Sequence, residues 1–203
     1  TRVRSSAASD VYKRQGYVQY LAVSLLVIGV MLGGLLQAGS NAAREYETGT
    51  IKELLLAPAS PWAIEAGKVL GAFALSLVGA AVVLAVIVFV LGIWPVSWGE
   101  VLGFTALLMV MFVALGTLIG TLVRRRQALI PLALGLALPV FFVSGAFGPV
   151  TWGSGVVAAI ARVQPVYYGV AVVQHAFHGF QTTPTSEAAN GLVLAGFAVV
   201  AVA

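Results

Sequence analysis

The chain has 203 residues, of which 60% are hydrophobic and only 9% charged, with a mean hydropathy of +1.01. Soluble domains carry about 25% charged residues, so this composition belongs to a membrane protein. The absence of cysteine excludes disulfides, cysteine-bound zinc and thiol nucleophiles.

The formal charge of +4 suggests nucleic acid or an anionic surface until its location is read. Residues 5–15, SSAASDVYKRQ, match the in-frame translation of a transposase-type sequencing adapter at every codon, and Thr1 fits the adapter base sequence upstream. Segments of this kind are set aside before fold reasoning. Without Arg2, Arg4, Lys13, Arg14 and Asp10 the chain keeps seven basic and six acidic residues, a net charge of +1. That removes the case for a nucleic-acid partner. The expected division is a non-native tail over 1–15 and a truncated transmembrane domain over 16–203, open at both ends.

Tyr17–Gln37 is uncharged for 21 residues, enough to cross about 30 Å of hydrocarbon as a helix. A polar connection of 31 residues, 38–68, follows. Val69–Ile93 is a second uncharged run, closed by WPVSWGE, where Trp94 and Trp98 suit an interfacial belt. Val101–Val123 is a third span, ended by Arg124, Arg125 and Arg126. Ala128–Val143 is a shorter fourth, with Pro131 and Pro139 inside it. SGAFGPVTWGSG reads as a turn, and Gly191–Ala203 begins a last span.

Val156–Phe180 has the length of a span, but Arg162, Gln164 and Pro165 would then lie in the membrane. A central arginine costs about 2.5–3.5 kcal/mol even on insertion scales. Two short helices broken at Pro165, at or dipping into one interface, are preferred over a span. The predicted fold is therefore all-α and polytopic, about five transmembrane helices in this fragment. Short loops set orientation through Lys and Arg. Arg44, Lys52, Lys68 and the three arginines at 124–126 stand against Arg162 alone, so 38–68 and 124–126 are expected in the cytoplasm.

Within the connection, Thr50-Ile51-Lys52-Glu53 fits an S/T-x-x-E capping box, with Gly49 turning the chain before it. Ile51, Leu54 and Leu55 share one helix face. Pro58 stops the helix; Ser60 and Pro61 suit the cap and first turn of the next. One reading is a solvated helix joining two spans. The other is a docking helix, since plain helix connections need only about 2–8 residues and this one presents apolar side chains rimmed by charge.

REYETGTIKELLLAPASPWAIEAGK resembles the signature loop of type-2 ABC exporter permeases, R-E-x-E-x-G-T-[L/I/M]-x-x-L-L-x-x-P followed by G-K. Arg44, Glu45, Glu47, Gly49, Thr50, Ile51, Leu54, Leu55, Pro58, Gly67 and Lys68 match it. Tyr46, Lys52 and Ala57 depart from it. RRRQALIPLALGLALPVFFVSGAFGPV resembles the family's penultimate span, and ARVQPVYYGVAVVQHAFHG its outer segment, with Gln164 for the usual Asn. The resemblance covers nearly all of 16–203.

It implies a permease subunit of an ATP-driven exporter in the cell inner or plasma membrane, working as a homo- or heterodimer by alternating access. The helix at Gly49–Leu56 would be the coupling helix seated in a cytoplasmic ATPase. Arg44, Glu45 and Glu47 would touch the ATPase, Ile51, Leu54 and Leu55 would fill its groove, and Lys52 and Glu53 would complete the set. Ser24, Pro139, Phe141, Phe142 and Ser144 are the implied lining of the route. The substrate would be hydrophobic, amphiphilic or lipid-linked. A scaffold that relays ATPase motion without moving substrate is the alternative.

The chain has no G-x-x-x-x-G-K-[ST] motif, so it is not expected to be an enzyme or to bind a cofactor; ATP and Mg would sit on the partner. No carboxylate or lysine lies within a predicted span, against an ion-coupled transporter. Gly67–Gly71 and Gly116–Gly120 are GxxxG pairs, which mark close helix contacts or arise by chance. His175 and His178 could share a metal at their i, i+3 spacing, but no third ligand is near in sequence, and no metal site is expected.

Overall fold

The computed structural model describes residues 2–56, 58, 60–147, 155–179 and 185–202, without the side chains of 2–15, Leu54, Leu55 and Pro61. Most of the turn expected at SGAFGPVTWGSG lies outside the described residues. Among those described, eight α-helices and no strand are present. They are α1 (Arg2–Thr48), α2 (Thr50–Leu56), α3 (Pro61–Ala85, continued by a π-helical turn at Val86–Val90), α4 (Trp98–Val123), α5 (Arg126–Val143), α6 (Gly155–Val163), α7 (Pro165–His178) and α8 (Glu187–Val202).

Four helices are long and apolar enough to cross a membrane: Gly16–Thr48, Trp62–Val90, Trp98–Val123 and Arg126–Val143. This is an all-α, multi-pass membrane protein. The ambiguous stretch forms α6 and α7, bent by 86° at Gln164. Pro165 cannot donate to the helix before it, so it opens α7 with its missing N–H at no cost. The pair is the broken element that Pro165 and Arg162 predict.

One boundary differs. The expected connection of 31 residues is mostly helix: α1 runs on through Thr48 and α3 starts at Pro61, so only Gly49–Ser60 lies between them. Polarity marks where hydrocarbon ends, but it does not stop a helix, and AGSNAAREY contains no proline or terminal glycine pair. Ala38, Ala42 and Ala43 stay buried past the expected end.

The helix α1 is the central post, packed by α3, α4, α5 and α7. In lipid, association rests on close packing and on buried polar groups. Both operate here. A Cβ on Gly116 would lie 2.7 Å from the Leu35 carbonyl, and one on Gly34 would lie 2.8 Å from Phe112 Cβ. Gly120 sits directly against the Gly39 carbonyl. The Gly116–Gly120 pair is thus the seam between α4 and α1, whereas a Cβ added at Gly67 or Gly71 would meet nothing within 4 Å.

Polar ties then hold the broken pair to α1. Gln174, fully buried, donates from Nε2 to the Tyr20 carbonyl (2.8 Å) and Ser24 Oγ (3.0 Å). The Tyr20 hydroxyl donates to the Gly145 carbonyl at 2.6 Å. At the same end Phe89, Trp94 and Trp98 form an edge-to-face chain with centroids 6.2 Å apart, partly exposed as an interfacial belt requires.

Candidate functional site

The charged stretch occupies one end of the bundle. The first helix stops at Gly49, whose φ of +77° only glycine adopts freely, and α2 begins at once. Gly49 caps it: the Lys52 amide donates to the Gly49 carbonyl at 3.1 Å. The expected capping box does not form as drawn. Because α1 persists to Thr48, Thr50 Oγ1 lies 2.7 Å from Thr48 Oγ1 and 3.5 Å from the Glu45 carbonyl, while Glu53 is exposed. Ser60 does cap α3, accepting the Ala63 amide at 3.2 Å.

The seven residues of α2 project from this end. Lys52, Glu53 and Leu56 are exposed, Leu56 by 86%, and Ile51 is half-buried. The side chains of Leu54 and Leu55 lie outside the described residues.

Around its base every acidic side chain of the α1 end is engaged. Glu45 pairs with Lys68 of α3 at 2.9 Å, and Lys68 also holds Glu65 at 2.7 Å. Glu47 accepts the Arg126 amide at the start of α5 (3.4 Å). Arg124, in a left-handed conformation after α4, lies 5.1 Å from the centre of the Tyr46 ring. Arg44 is exposed and borders a crevice of about 440 Å³ with Leu36, Gln37, Ser40, Asn41, Arg126 and Ile130. The last turn of α1 is therefore clamped to α3, α4 and α5 at once. Glu45 and Glu47 make intrachain contacts, which the sequence motif alone did not show.

The five residues expected along a route separate into two groups. Ser24, Phe141 and Ser144 are buried within this chain; Ser24 holds Gln174, and Ser144 Oγ donates to the Phe141 carbonyl at 2.6 Å. Pro139 and Phe142 face outward, Phe142 stacked on Phe147 at 4.8 Å. They do not converge on one cavity among the described residues.

A second cluster, which sequence reading missed, stands at the opposite end. Glu100, His175 and Glu187 each place a ligand atom within 4.8 Å of the others. They are far apart in the chain, so no spacing could reveal them. Burial and the neighbouring Glu100 raise the Glu187 carboxyl above its ordinary range, against the pull of His175.

Comparison with known proteins agrees with this architecture. The chain is 28% identical over 140 residues to the probable multidrug ABC transporter permease YbhR of Escherichia coli K12, and equally to that of Escherichia coli O157:H7. The alignment covers 66% of this chain and 37% of those relatives, so the chain spans well under half of their length. The family model described as ABC-2 family transporter protein matches residues 3–203. With its multi-pass helical bundle and the charged helix at one end, the chain belongs to the ABC-2 transporter family.

Proposed function

We propose that the chain is the membrane-spanning part of an ATP-driven exporter, and that α2 is its coupling helix. The observation that carries this reading is mechanical. A short exposed helix hangs from α1 by one glycine, and the turn before it is tied to three other helices through Glu45–Lys68, Glu47–Arg126 and Tyr46–Arg124. A force on α2 therefore reaches α1, α3, α4 and α5 together, which is what alternating access needs from an external motor. On this reading α2 and Arg124–Arg126 face the cytoplasm, the membrane is the inner or plasma membrane, and a second permease copy completes the route. ATP and Mg stay on a separate ATPase subunit. A hydrophobic or amphiphilic substrate fits the apolar bundle and the names of the relatives.

The test is Leu54→Asp in α2, with Leu75→Asn on the exposed face of α3 as a control. Co-purification of the ATPase and substrate-stimulated ATP hydrolysis are expected to be lost in the first and kept in the second. An ATPase that still binds and responds to Leu54→Asp would overturn the coupling role. Retained docking and hydrolysis in the wild type without substrate movement in vesicles would favour the scaffold reading.

A further inference from the structure

At the end of the bundle opposite α2, three helices bring together two carboxylates and an imidazole. Glu100 lies in the first turn of α4, His175 in the last turn of α7, and Glu187 opens α8. His175 Nε2 is 2.7 Å from a Glu187 oxygen, and the ligand atoms of all three lie within 4.8 Å of one another. The ion pairs formed by Lys and Arg among the described residues lie at the other end, on Glu45 and Glu65. Two partly exposed carboxylates this close, without a Lys or Arg partner among the described residues, repel one another, and a proton, the His175 imidazolium or a bound cation relieves that repulsion.

The donors are held in place by their backbones. The Val96 and Ser97 amides both donate to the Ala176 carbonyl at 3.1 Å, so the start of α4 is fastened to α7 beside His175. Ser97 Oγ accepts the Glu100 amide (3.4 Å), and Ser186 Oγ accepts the Ala189 amide (3.4 Å), fixing the first turns that carry the two carboxylates. Each ligand therefore comes from a separate helix, and α4 and α7 are tied to one another by backbone hydrogen bonds beside the cluster.

We propose that Glu100, His175 and Glu187 bind a divalent cation of the zinc class, which staples α4, α7 and α8 together. A proton would need only the two carboxylates; the imidazole supplies a third donor. One nitrogen with two carboxylate oxygens suits zinc, with water as a fourth ligand, whereas calcium and magnesium prefer all-oxygen shells. Zinc–ligand distances of about 2.0–2.2 Å require the His175–Glu187 contact to open slightly and Glu100 to draw inward.

The experiment uses the full chain without a polyhistidine tag, stripped with EDTA and returned to lipid nanodiscs. Zinc chloride is titrated by calorimetry, and cobalt chloride by its visible absorption, which reports coordination number directly. One zinc per chain and a four-coordinate cobalt spectrum that zinc bleaches are expected. Glu100→Gln, His175→Ala and Glu187→Gln should each weaken binding at least about tenfold, the scale on which metal sites respond to a lost supporting group. His178→Ala, one turn further on, should bind as the wild type does. Melting curves in EDTA identify any variant that fails to fold, and Glu100→Gln together with His175→Ala suffices if Glu187→Gln does not fold. Absence of saturable zinc binding in the wild type overturns the proposal, and so does binding that survives both Glu100→Gln and His175→Ala.

Discussion

Adding one methyl group at Gly120 tests the seam between α1 and α4. A Cβ there would stand 2.9 Å from both the Gly39 Cα and carbonyl carbon, and closer still to the carbonyl oxygen. Ordinary contact begins near 3.4 Å, so the helices must part by at least about 0.5 Å. The obstacle is backbone and cannot rotate away. Overpacking of a tight contact costs about 1–3 kcal/mol, and the upper end applies to a rigid neighbour. Alanine returns about 1 kcal/mol through helix propensity. Gly120→Ala should therefore destabilise by about 2 kcal/mol. Gly103→Ala, on the same helix with nothing within 4 Å, should gain up to about 1 kcal/mol. The difference of about 3 kcal/mol is roughly two orders of magnitude in the unfolding equilibrium. Sodium dodecyl sulfate titration in mixed micelles, followed by circular dichroism, measures both. A Gly120→Ala protein as stable as Gly103→Ala would refute the close approach of these helices.

Three further outcomes follow from the same geometry. Tyr20→Phe removes the 2.6 Å bond to the Gly145 carbonyl and should cost about 1 kcal/mol, read in the same unfolding assay; no loss would mean that the bond does not hold the end of α5. Lys68→Met and Glu45→Gln, taken singly and together, should show a coupling of about 0.2–1 kcal/mol for a partly exposed ion pair; strict additivity would remove this tie between α1 and α3. In metal-free protein the raised carboxyl of Glu187 means that the folded state holds its proton more tightly than the unfolded state. Its contribution is complete below the ordinary carboxylate pKa and is lost as pH rises through the folded value, and Glu187→Gln should flatten that fall in a pH series of melting curves.

The spans were legible because hydrocarbon thickness imposes a minimum run of apolar residues, which Val101–Val123 meets outright and Ala128–Val143 approaches; the helix gains its full 18 residues by starting at Arg126. Pro165 and Arg162 made the broken pair legible as well, one by geometry and the other by solvation cost. The end of α1 was not, because Ala38–Thr48 is polar yet holds no proline, and its one glycine, Gly39, is kept helical by its packing against α4. Two GxxxG pairs looked alike in sequence, and only their neighbours distinguish them: a Cβ on Gly116 or Gly120 would strike α1, whereas one on Gly67 or Gly71 would meet nothing within 4 Å. Individual site residues fared in the same way. The motif singled out Glu45 and Glu47, but the contacts they make depend on where α3 and α5 begin. Glu100, His175 and Glu187 meet only through the folding of three helices.

The first span has more length than a bilayer can use. Gly16–Thr48 is 33 residues, about 50 Å as a helix against about 30 Å of hydrocarbon. The surplus makes α1 a lever whose fulcrum is its glycine seam with α4. The α2 end of the rod lies about 14–21 Å beyond that seam and the other end of the span about 27–35 Å, so pivoting by about 5° sweeps them through about 1–2 Å and 2–3 Å. On the proposed reading a partner gripping α2 works at the short arm of α1, and small travel there becomes a larger displacement at the far end of the span, near Gly16.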